Sequence, residues 1–131
     1  MNRSELIRRM VLSAMCDDFE NVDQIILPTV ARDCAKLGFS AERPEIVRIL
    51  GGLVAEGLAK AYLLSGNNRD PFSREIQGMP SLDIVEEEFK TYFFITKKGM
   101  DFHRSDYTWW PFDDEDNVLP NWHLDPTPAS G

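Results

Sequence analysis

The chain is poor in most of what protein sites are usually built from. It has two cysteines and two histidines in 131 residues, and none of the four stands in a metal-binding or redox spacing. Cys16 and Cys34 lack a C-x-x-C partner, and in helix-like surroundings they read as free, buried thiols of a reducing compartment. His103 and His123 are too isolated from cysteine to suggest zinc. Arg, Asp or Lys interrupts every apolar run before a membrane-spanning length, and the N-terminal "MNRSELIRRM" has no continuous signal-peptide core. A cytoplasmic protein without membrane contact is expected. The sequence also lacks a phosphate-binding glycine loop and a G-x-S-x-G elbow, and no histidine stands beside a nucleophile. Acid pairs such as Asp17-Asp18 fit solvated helix ends, so neither an enzyme nor a cofactor is expected.

Basic charge is scarce too, and unevenly so. The net charge is -8, but residues 1–60 carry eight Lys/Arg against nine Asp/Glu, and residues 61–104 carry six against seven. Residues 105–131 carry no Lys or Arg and six acids. A nearly neutral body therefore ends in an acidic tail. The total disfavours nucleic acid as a partner, since electrostatic steering toward phosphates needs positive potential.

Helical periodicity fills the first half. Ser4 is a candidate N-cap, after which Leu6, Ile7, Met10, Val11, Ala14 and Met15 predict a helix to about Asp17 with Arg8 and Arg9 pointing outward. Asn21 with Gln24 has capping-box spacing, and Ile25, Ile26, Val30, Cys34 and Leu37 continue to a stop at Gly38. Pro28 interrupts that run, and one kinked helix is the expectation. In the third helix Ser40 or Glu42 precedes Pro44, and Ile46, Ile49, Leu50, Leu53, Val54 and Leu58 form one apolar stripe ending near Gly57. Ala61–Leu64 and "TYFFIT" read as strands, and Thr96 as the cap of a helix through "KKGMDFHRS". Between the strands, residues 65–90 make a long acidic loop in which Ser81 caps a short helical run of Leu82, Val85 and Phe89.

The segments "EIVRILGGLVAEGLAKAYLL" and "YFFITKKGMDF", in that order after two helices, resemble the third helix, wing and closing turn of winged helix-turn-helix regulators of the MarR and PadR type. The resemblance spans roughly residues 4–104, and its most specific parts are Glu56-Gly57-Leu58 and Ile95-Thr96 with Gly99. It implies an α+β fold: a winged helix made of a three-helix bundle and a two-stranded wing, here with an enlarged, partly helical insert at 65–90. The domain would be residues 1–104, with the aromatic-acidic tail, 105–131, packed on it. Two functions follow, a transcriptional regulator binding DNA as a dimer, or a winged-helix module used for protein–protein contact without DNA.

Candidate residues divide the same way. Arg32, Arg43, Arg48, Lys97 and Lys98, with Arg8 and Arg9, could meet phosphates, or could form a solvated face with acids interspersed. The solvent side of the third helix would show Glu45, Arg48, Gly51, Gly52, Ala55 and Glu56, which offers few of the Arg, Lys, Asn and Gln forks that read bases. Gly51 and Gly52 in mid-helix imply a close neighbour, from a second copy, the tail or a ligand. Trp109, Trp110, Phe112 and Trp122 are too many aromatics for disorder, so "WWPF" and "VLPNW" are expected to pack on the body around an exposed "DDEDN" turn. That turn lacks the glycine and closing glutamate of a calcium loop, and no metal is expected there. Docked near Arg43 and Arg48, its acids would stand where DNA phosphates would otherwise lie.

Overall fold

The computed structural model describes residues 1–65, 68–72, 74–82 and 90–125. Helix α1, Arg3–Ala14, is capped two residues before the expected Ser4, because the Asn2 side chain accepts from the Glu5 amide at 2.8 Å. It ends before the acidic pair at 17–18, and Leu6, Ile7, Met10, Val11 and Leu12 are its buried side. Asn21 caps the next helix, its side chain accepting from the amides of Asp23 and Gln24. The first turn, Val22–Ile26, is π-helical, and helix α2, Leu27–Lys36, follows without a break. Pro28 thereby stands at the second residue of α2, just after amides that bond five residues back, Ile26 to Asn21 and Leu27 to Val22. The chain stays in one helix, as expected, but it widens rather than merely kinking.

Helices α2 and α3, Arg43–Ala55, end alike. At Gly38 and Gly57 the backbone turns left-handed, with φ of 89° and 77°, and Phe39 and Leu58 send their amides back to Cys34 and Leu53. This closure satisfies the last carbonyls and drops Leu58 into the core. Of the α3 stripe, Ile46, Leu50 and Leu53 are fully buried, against α1.

The sheet has three strands rather than two. β1, Ala59–Leu63, pairs antiparallel with β3, Thr91–Ile95, on one side and with β2, Arg74–Ile76, on the other. β1 starts two residues earlier than its side chains suggest, because Ala59 and Ala61 lie under the helices opposite Ile95 and Phe93. β2 comes from the long loop; the helical run expected from Leu82 to Phe89 lies almost wholly outside the described residues. Helix α4, Lys97–Arg104, is capped by Thr96, whose hydroxyl accepts from the Gly99 amide at 3.0 Å.

One apolar cluster joins α1, α2, α3, β1 and β3 and continues into the tail, where Trp109 and Phe112 are 3% and 4% exposed. Trp110 and Trp122 are half-buried, while Val118 and Leu119 are exposed. The acidic segment forms a closed turn: the Asp113 carboxylate accepts from the amides of Glu115 and Asn117, and Phe112 bridges Val118. No described helix is long and apolar enough to cross a membrane.

Candidate functional site

The exposed side of α3 is narrow and nearly bare. Pro44, Arg48, Gly52, Ala55 and Glu56 are exposed, whereas Glu45 and Gly51 are half-buried. A Cβ built at Gly52 meets nothing within 4 Å, and one at Gly51 meets the Met79 side chain at 3.6 Å. The close neighbour that two mid-helix glycines implied is thus missing at Gly52 among the described residues. A shallow groove of about 260 Å³ runs alongside, lined by Arg43, Pro44, Val47, Arg48 and Leu82.

Most of the basic residues read as phosphate contacts have acidic or carbonyl partners. Arg43 forks onto the Asp23 carboxylate at 2.8 and 3.2 Å and also donates to the Leu82 carbonyl, with both members of the ion pair largely buried. Arg3, which periodicity did not single out, pairs with Glu45 across α1 and α3, and its hydrogen bond holds the Glu45 carboxyl below the usual range. Arg8 pairs with Glu56, and Arg9 lies 4.5 Å above the Phe102 ring while bonding Glu5. Arg9 is only 13% exposed, so it does not point outward as its place in α1 suggested. Arg32 is exposed at 3.6 Å from Asp33, Lys97 bonds Asp101 at 3.1 Å, and Lys98 caps α3 through the Glu56 carbonyl at 2.9 Å. Arg48 is exposed and makes no ion pair among the described residues.

The described residues of the tail, 105–125, are placed elsewhere. Its acidic turn sits at the end of α2, where Asp116 is 3.7 Å from Lys36 and the Lys36 ammonium lies 5.2 Å from the centre of the Phe112 ring. Its last described residue is tied to the segment before α1: Asp125 bonds the Met1 ammonium at 3.0 Å and donates its own amide to the Met1 carbonyl. Docking near Arg43 and Arg48, expected if the tail mimicked DNA, is therefore not what the chain adopts. Trp109 and Phe112 are instead buried in the main core, with the Phe112 ring beside Lys36 at the end of α2.

A second surface was hidden in the sequence. On the face of the sheet away from the helices, Tyr62, Tyr92 and Phe94 stand outward, and Phe19 and Phe72 fold over them. The Phe19 ring stacks on Phe72 and Phe94 at 4.4 and 4.7 Å and meets Tyr62 edge-on at 5.0 Å. Alternation in "TYFFIT" could have pointed to Tyr92 and Phe94; nothing local could have placed Phe19 there.

Among the described residues no group of three or more His, Cys, Asp or Glu could hold a metal ion. Both thiols are free, and burial pushes that of Cys34 up to about 11. Comparison with protein-family models, with curated proteins and with solved structures finds no match in any of the three.

Proposed function

We propose that this chain is a winged-helix-like module that contacts a protein partner through the exposed face of α3, and that it does not read DNA. The winged-helix reading is supported by the order of elements, three helices followed by an antiparallel hairpin of β1 and β3 and a closing helix. The observation that carries the protein reading is the internal pairing of the bases: Arg3, Arg8, Arg43 and Lys98 spend their charge on Glu45, Glu56, Asp23 and the end of α3. A phosphate would have to displace these partners, and Arg48 alone gives too little charge for a nucleic-acid face. A helix face of Gly52 and Ala55 beside a shallow groove suits close approach of another protein surface instead.

Two measurements test this. Anisotropy of a labelled mixed-sequence duplex, at about 50 and 200 mM salt, should show no salt-dependent binding. Binding that weakens with salt and is lost in Arg48→Glu would establish the DNA reading in its place. A photo-crosslinking side chain at position 52, used in cells, should give a protein adduct. A nucleic-acid adduct, or none beyond that of the exposed control position Ser105, overturns the proposal.

A further inference from the structure

The bare face of α3 carries opposite charges at equal distances from its centre. Arg48 stands four residues before Gly52 and Glu56 four residues after it, and all three are exposed. That spacing places them on one side of the helix, the two charges about 6 Å along the axis on either side of Gly52. Glu56 caps α3 with its backbone still in the right-handed region. Both charges have capacity left. Arg48 makes no ion pair among the described residues, and Glu45, one turn before it, is already held by Arg3. Arg8 takes only Oε2 of the Glu56 carboxylate, whose side chain keeps 52% exposure, so Oε1 can accept from a second donor. Between the charges the surface is almost flat: no described atom stands within 4 Å of a Cβ built at Gly52, Ala55 is exposed and Ile49 is half-buried.

We propose that the partner on this face is a second copy of the chain, the two α3 helices crossing antiparallel at Gly52 about a two-fold axis. The inference rests on the reading of α3 as a protein-contacting face and names the protein. A two-fold axis that reverses the helix at Gly52 brings a residue some number of places before it in one copy opposite the residue as many places after it in the other. Arg48 of each copy then meets Glu56 of the other, Gly52 meets Gly52, and Ala55 lies against Ile49. Every charge on the face finds its opposite. A parallel pair would instead set Arg48 against Arg48 and Glu56 against Glu56, so the charges select the antiparallel arrangement. Glycine at the crossing point lets the two axes come to the short end of the usual spacing of about 8–10 Å, and supplies the neighbour that Gly52 lacks within the described chain. The same alternation of sign suits a duplex poorly, because phosphates repeat one sign.

A face one helix wide belongs with weak, reversible interfaces, so sedimentation equilibrium of the full chain is followed up to about 1 mM. The mass should rise with concentration from 15.0 kDa toward twice that value. Gly52→Gln should stay monomeric with far-ultraviolet ellipticity unchanged. Arg48→Glu and Glu56→Arg, each of which sets like charges face to face, should each weaken self-association at least about tenfold. An equimolar mixture of those two variants should associate as tightly as the unaltered chain, because one then presents two acids and the other two bases. A chain monomeric throughout, association that Gly52→Gln leaves intact, or a mixture no tighter than either variant alone overturns the proposal. Should Glu56→Arg lose its fold with the Arg8 pair, oxidation of Gly52→Cys decides. A covalent dimer formed faster than from Ser105→Cys, and suppressed by adding Arg48→Glu, supports the crossing; its absence overturns it. A photo-crosslink from position 52 to a different protein, in a chain that does not self-associate, would keep α3 as a protein-contacting face and overturn the second copy alone.

Discussion

A methyl group at position 99 would fall inside the Leu58 carbonyl oxygen and 2.8 Å from the Ile95 side chain. Both neighbours are fixed, one as backbone at the entry to β1 and the other in the core, so neither can give. Gly99→Ala should lower stability by about 3 kcal/mol, the upper range for overpacking, measured as a drop in denaturation midpoint at unchanged slope. The motif around Thr96 marked this glycine in the sequence, but as a turn residue; its contact with a strand forty residues earlier could not be read there. Asp33 is the opposite case, a buried carboxylate that local pattern places on a helix and nothing more. Burial raises its carboxyl above the usual range, outweighing exposed Arg32 and then Lys36. Such a group binds its proton more readily when folded, so its cost is absent below the ordinary value of 3.8 and grows as pH rises through the folded value. Asp33→Asn should therefore raise the melting temperature at pH 7, with the gain vanishing on acidification; an equal gain at all pH would show that charge is not the cause.

Among the elements, α3 is where sequence and structure part most usefully. Its apolar stripe, its start at Pro44 and its end at Gly57 were all legible, because periodicity, a proline and a left-handed glycine are local signals. The glycines at 51 and 52 were legible as an anomaly, but the expected neighbour is not supplied at Gly52 by the described part of the chain. A helical glycine in open space costs about 1 kcal/mol relative to alanine. Gly52→Ala should accordingly stabilise the isolated chain by about that amount in a thermal melt, since no described atom stands within 4 Å of the added Cβ. A loss of stability would mean that the helix depends on that bare position. The short strand β2 was not legible, because three residues reading Arg-Glu-Ile hold no period to detect and owe their strand to pairing with β1. The π-helical turn before Pro28 was legible only as a conflict between a helical pattern and a residue that interrupts it.

At the scale of the whole molecule, most of the bases are placed against acids, although the net charge stays at -8. Helices α1 and α3 are cross-linked by Arg3–Glu45 and Arg8–Glu56, pairs separated by more than forty positions in sequence and therefore invisible to any reading of spacing. Fold class could be anticipated because it depends on many local signals at once; the state of each base could not, because it depends on which acid the fold brings near. The acidic turn completes the pattern by sitting at Lys36 rather than against α3. Replacing Asp114 and Glu115 with lysine should thus leave duplex DNA unbound in the same anisotropy measurement, whereas salt-dependent binding in that variant would mean that the tail had been masking a nucleic-acid face.

The link between Met1 and Asp125 has one more consequence. Because an ammonium, a carboxylate and a backbone hydrogen bond hold these two residues side by side, the order in which the polypeptide visits its elements can be changed without moving any of them. A permuted chain, joined from Asp125 to Met1 by a short flexible linker and opened at the solvent-exposed Glu115, would exchange the ammonium for an amide, keep the backbone bond between the two residues, and carry the tryptophan pair close to its new end.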